Sequence, residues 1–160
     1  MIDAVAEGLW GRLRDTILAL RRLETFTFVP EDPGAGPEWL PRLLEDPRLL
    51  DEVATEVVLR AFRTGAEAVN FRILTRLADG NPVALAELAE AARLPRLVLS
   101  ERVNDLVQVG LAARDLEKDA VSATPGTRGF LTLVEELRQR LAQVAREQLP
   151  GMLGLDRRGL

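Results

Sequence analysis

Residues 94–111, LPRLVLSERVNDLVQVGL, place Leu99, Val103 and Leu106 at steps of four and three between Leu94-Pro95 and Gly110. That spacing predicts a helix from about Arg96 to Val109 with one buried face. Gly110 is expected to stop it, because a residue without Cβ lets the chain turn from helix into strand. The opposite face would carry Arg96, Leu97, Val98, Ser100, Glu101, Arg102 and Asn104, a mixture of basic, acidic and aliphatic groups. The segments on either side decide what such a face is for.

Immediately upstream, 82–93 (PVALAELAEAAR) reads as a short helix with Leu85, Leu88, Ala89 and Ala92 inward, and Leu94-Pro95 as the turn that follows. Before it, AEAVNFRILTRLADG carries Leu74 and Leu77 and ends at Asp79-Gly80, a good helix stop. PRLLDEVATEVVLRAFRTG is helical too, opened by Asp46 as cap with Pro47 at the first position. Leu50, Val53, Val57 and either Leu59 or Phe62 are expected inward. Gly65 alone does not decide between two helices and one bent helix. Downstream of Gly110, residues 111–116 and 120–124 alternate about a turn at Glu117–Asp119 and predict a β-hairpin. Thr124 caps a last helix from Pro125 to about Gln148, and 150–160 reads as a frayed tail.

The order helix, short helix, turn, helix, hairpin, helix over residues 66–148 resembles the winged-helix domain of bacterial transcription regulators of the MarR and ArsR type. RILTRLADGNPVALAELAEAARL resembles the entry helix and the first helix of the helix-turn-helix pair. LSERVNDLVQVGLAARD resembles the recognition helix running into the first wing strand, and VSATPGTRGFL the second wing strand entering the final helix. Leu74, Leu77, Leu85, Leu88, Leu99, Val103, Leu106 and Leu111 would close a three-helix core. The expected fold is therefore mainly α: a winged helix at 66–128 with a two-stranded β-wing, a helical extension at 1–65, and a long C-terminal helix at 129–149.

The resemblance implies double-stranded DNA as partner. Arg96, Ser100, Arg102 and Asn104 would meet the major groove, and Arg114 and Lys118 the backbone or minor groove. The charge is poor for that task. Residues 71–125 hold seven Arg and Lys against eight Asp and Glu, a net of −1, whereas phosphate contacts normally supply much of the affinity. Leu97 and Val98 stand where the family usually has small polar residues, and Glu101 would repel phosphate. A second reading follows, in which Leu97, Val98 and Glu101 dock a protein partner on a winged helix that has lost DNA binding.

In the final helix Phe130, Val134, Leu137, Leu141 and Val144 step by four, three, four and three, a heptad-like seam. Residues 2–23 carry a similar stripe of Ile2, Val5, Leu9, Leu13, Ile17 and Leu20. The two stripes either pack on each other within one chain or form a homodimer interface; the homodimer is the favoured expectation, since its twofold axis would set two wings on a palindromic site. Between them, Thr25–Val29 alternates as a β-prone run before a Pro/Gly loop, and Trp39-Leu40 opens a helical turn. Trp10, Phe26, Phe28 and Trp39 would line an effector pocket if one exists, although such residues are more often ordinary core.

The 160 residues contain no cysteine and no histidine, so thiolate nucleophiles, imidazole bases and Cys/His metal sites are absent from the chemistry available. Ser100 and Ser122 are the only serines and have no histidine partner, which rules out a hydrolase triad. No enzyme activity, metal or cofactor is expected. Net charge is −4, so no global basic field draws the chain to a polyanion. No apolar run reaches membrane-spanning length, the N-terminus is not a signal peptide, and a cytoplasmic location is expected.

Overall fold

The computed structural model describes residues 2–27 and 45–152. These form six helices and three short strands in the order α1 (Ile2–Thr27), α2 (Pro47–Ala66), α3 (Ala68–Leu77), β1 (Val83–Ala84), α4 (Leu85–Ala92), α5 (Arg96–Gln108), β2 (Ala113–Asp115), β3 (Ala120–Ser122) and α6 (Pro125–Met152). This is a mainly α winged helix-turn-helix flanked by two long terminal helices. Phe28 and Trp39 lie outside the described residues, as do Leu40, the residues of the β-prone run after Thr27, the tail from 153, and the side chain of Phe26.

Local chemistry sets the helix ends. Asp46 Oδ1 accepts the Arg48 N–H at 2.9 Å and Pro47 takes the first helical position of α2. The chain breaks between α2 and α3 at Glu67, which is extended (φ −61°, ψ 132°), and not at Gly65. Gly65 is required for another reason. A Cβ there would come within 2.8 Å of Leu111 Cδ1 and 2.9 Å of Phe130 Cζ, so the residue admits close packing. The buried Asn70 bridges the break by donating from Nδ2 to the Thr64 carbonyl at 2.9 Å.

The turn between α4 and α5 is a left-handed stop at Arg93 (φ 54°), with Leu94 N–H on Ala89 O and Arg93 N–H on Glu90 O. The same paired bonds close α5: Leu111 N–H reaches Leu106 O and Gly110 N–H reaches Val107 O, around Gly110 at φ +78°. The expected three-helix core is present, with Leu74, Leu77, Leu85, Leu88, Leu99, Val103, Leu106 and Leu111 all buried.

The wing is a three-stranded antiparallel sheet in the order β1-β3-β2. The strands expected over 111–116 and 120–124 are shorter, and the turn occupies Leu116–Asp119. β1 adds a third strand to the expected two-stranded wing: two residues have no alternation to detect, and this strand exists because Val83 pairs with Val121 and Ala84 with Ala120. Beyond the sheet, Thr124 Oγ1 accepts the Thr127 N–H (3.1 Å) and Thr127 Oγ1 accepts the Thr124 N–H (2.8 Å), a reciprocal cap for α6. The two hydroxyls donate onward to Gly110 O and Leu111 O, which fastens the start of α6 to the end of α5.

The terminal helices meet within the chain. Gly8 of α1 lies against Gly126 of α6, and Val5 against Gly129, so the two run antiparallel at close approach. Val5, Leu9 and Phe130 join the same core as Leu74 and Leu99, so the segments expected as 1–65, 66–128 and 129–149 share one interior. Phe130 is thereby corrected: it is 1% exposed and stacks edge-on against Phe62 and Phe71, with no surface left for a partner chain. Further along the expected seam Val134 and Val144 are half-buried, while Leu137 and Leu141 are exposed. On α2, Ala61 and Gly65 are the buried positions, and Leu50 and Leu59 point outward, because only the last turns of that helix reach the core. Ile2 likewise departs from the expected α1 stripe and is exposed. α6 continues past Gln148 through Pro150 to Met152. Its solvated side carries Glu135, whose carboxyl is lowered to about 2 because Arg138 and Gln139 donate to it.

Candidate nucleic-acid interface

Burying Leu99, Val103 and Leu106 turns the other face of α5 outward. Leu97 is 72% exposed, Val98 and Glu101 are exposed, Asn104 is exposed, and Ser100 and Arg102 are half-buried. The wing stands beside this face and is joined to it by one side chain. Arg114, on β2, donates from Nη1 to Ser100 Oγ at 2.9 Å and to Asn104 Oδ1 at 3.2 Å, two acceptors one turn apart on α5. Its Nη2 reaches Asp119 Oδ1 at 3.3 Å. The Arg114 side chain retains only 17% exposure, and its Nε is buried without a partner.

Asp119 collects the rest. Its Oδ2 accepts from Arg96 at the start of α5, and its backbone carbonyl accepts the Leu85 N–H at the start of α4 (2.9 Å). It holds a left-handed conformation (φ 46°) that aspartate tolerates better than most residues. Asp115 shapes the tip, its Oδ1 accepting the Glu117 and Lys118 N–H groups, and Lys118 Nζ sits 3.9 Å from its Oδ2. Arg102 points the other way and pairs with the Glu67 carboxylate at 2.6 Å.

Of the six residues singled out for DNA, Ser100, Asn104, Arg114 and Arg96 are therefore brought into one network through Asp119. Arg102 and Lys118 stand apart from it. All four cations already face a carboxylate of the chain. The sequence does not single out Asp119 or Glu67: Glu67 lies 35 residues from Arg102 and carries no local signal, and Asp119 reads as an ordinary turn acid. The far end of α5 is held from outside as well, by Arg12 Nε of α1 on the Gln108 carbonyl (3.1 Å) and by Arg60 of α2 on its Oε1 (3.4 Å). Both guanidinium groups sit at the negative end of the helix dipole, where α5 has no basic residue of its own.

Among the described residues no group of His, Cys, Asp or Glu is placed to hold a metal ion, and no helix is long and apolar enough to cross a membrane. No family model matches the sequence and no curated protein matches it. Among solved structures the chain is similar to a MarR family transcriptional regulator from Silicibacter pomeroyi DSS, with 20% identity and a TM-score of 0.39, over 79% of this chain and 91% of that one. The winged-helix fold stands on the helix packing and strand order described above.

Proposed function

We propose that the chain is a cytoplasmic, homodimeric winged-helix regulator of transcription that binds double-stranded DNA through α5 and the wing. The observation that supports this most is the continuity of the two: Arg114 ties the wing to Ser100 and Asn104, so helix face and hairpin form one surface beside a rod of groove-fitting width. Arg96, Ser100, Arg102 and Asn104 would read or position the groove, with Arg114 and Lys118 on the wing side. Fluorescence anisotropy with the duplex upstream of the chain's own reading frame tests it. Arg96→Ala with Arg102→Ala is expected to lower affinity at least ~10-fold and to flatten the slope of log K against log salt by about two, one per lost phosphate contact. Unchanged affinity and slope would show that these arginines do not touch DNA.

The dimer proposal rests on α6 beyond its crossing with α1, where Leu137 is 61% and Leu141 71% exposed and Leu149 and Met152 are exposed too. Apolar groups in such a row are covered in most folded assemblies. Leu137→Glu with Leu141→Glu is expected to convert a dimer into a folded monomer, read by light scattering behind a sizing column. A wild-type monomer at tens of micromolar would overturn it.

A second reading draws on Leu97 and on Leu116 at the wing tip, which is 77% exposed. In that reading this face, with Val98 and Glu101, docks a protein. It requires no duplex affinity at low salt and loss of the partner on Leu97→Glu.

A further inference from the structure

The three arginines proposed to meet DNA are all held in ion pairs within the chain. Asp119 engages Arg96 and Arg114 together, one from the recognition helix and one from the wing, and Glu67 engages Arg102 from outside the helix-turn-helix pair. Each carboxylate offers two oxygens to a guanidinium, as a phosphate would. Both acids are tethered, so they act at an effective concentration that a free anion cannot match. Asp119 is held most firmly, since its main chain is fixed by Leu85 and by the strand that follows it.

We propose that Asp119, seconded by Glu67, is a built-in competitor for the DNA backbone: binding exchanges an internal carboxylate for an external phosphate at Arg96 and Arg102, and the acids set how weak the unassisted interface is. This rests on the DNA-binding reading. It accounts for a surface with the right residues and a net charge of −1 over residues 71–125. It also gives the two acids a role in discrimination, since non-specific affinity is the part of binding most dependent on free cations. Only a site that adds base contacts to the exchange would hold the protein.

Asp119→Asn is the sharp test. Asparagine keeps one acceptor oxygen, which can still serve Arg114, loses the oxygen that holds Arg96, and suits the left-handed backbone, so the wing should retain its shape while the charge and the Arg96 pair are lost. Affinity for non-specific duplex is expected to rise roughly 10-fold near 0.1 M salt, and the salt slope to steepen by about one. Glu67→Gln should do the same through Arg102, and the two effects should add. Retention on inorganic polyphosphate reads the release of the arginines with no duplex involved. Stronger retention of both variants, with duplex bound by neither them nor the wild type, would remove the regulator reading and overturn DNA as the competing anion, while showing that the acids still compete with an external phosphate for these arginines. Unchanged retention and unchanged duplex affinity, in variants that melt at the wild-type temperature, would overturn the competitor alone. A purely structural acid predicts a lower melting temperature and weaker binding, the opposite sign. If Asp119→Asn melts early, Glu67→Gln decides by the same readouts.

Discussion

Replacing Phe130 by alanine is expected to cost about 3–5 kcal/mol of folding free energy, the range for deleting a fully buried aromatic ring. The position gives little scope for relaxation. The ring meets Phe62 edge-on at 5.3 Å between centroids and Phe71 at 6.4 Å, and α2 presses against it at Gly65, which has no side chain to move into the gap. Leu111, which also approaches Gly65, is tied through its carbonyl to Thr127 and cannot follow easily. Because α2, α3 and α6 all meet at this ring, its loss should lower the urea midpoint of the whole chain in one transition. Leu141→Ala, on the same helix but exposed, should leave the midpoint of the monomeric form nearly unchanged. A loss below about 1 kcal/mol for Phe130→Ala would mean that the ring is not packed as described.

Two glycines three residues apart on α1 should respond to alanine with opposite signs. At Gly8 an added methyl would lie 2.7 Å from Gly126 N and 2.8 Å from its Cα, both backbone atoms, so the helices themselves must separate. Overpacking of that kind typically costs 1–3 kcal/mol, and the gain in helix propensity of up to ~1 kcal/mol offsets only part of it. At Gly11 nothing lies within 4 Å, and the same change should stabilise by about 0.5–1 kcal/mol. Thermal melts of the two variants side by side test the antiparallel crossing of α1 and α6. If Gly8→Ala were also stabilising, that crossing would not exist in solution.

The contrast shows what kind of information the linear sequence holds. The steps of three and four at Leu85, Leu88 and Leu99, Val103, Leu106 were enough to locate the three-helix core, because a helix-periodic apolar face has to be covered by something. The same stepping at Phe130, Val134 and Leu137 could not say what covers it. One end lies in the chain's own core and the other is bare, and periodicity is blind to that difference. In the sequence Gly65 reads as a candidate helix break, yet it is fixed by the bulk of Leu111 and Phe130, residues 46 and 65 positions away. β1 left no trace, being two residues that become a strand only by pairing with β3.

For the candidate site the division is similar. The outward residues of α5 followed from its inward ones, so Arg96, Ser100, Arg102 and Asn104 could be named in advance. The count of charges flagged a weak field over 71–125. Which acids neutralise which arginines is set by three-dimensional placement: Glu67 reaches Arg102 from the α2–α3 break, and Asp119 reaches Arg96 only because the hairpin folds back over the start of α5. Tertiary pairing of this kind has no period to find.

The hairpin also has an uneven stiffness. Its middle strand, β3, is laced on both flanks, to β2 on one side and to β1 at the root of the helix pair on the other. Swinging the whole flap away from α4 would break the β1–β3 seam together with the bond from the Leu85 N–H to the Asp119 carbonyl. Reshaping of the hairpin is thus left to its tip at Leu116–Lys118, ahead of the anchored Asp119, and under the proposed DNA reading that tip is the part that would adjust to a duplex while the bracket behind it sets where it can reach.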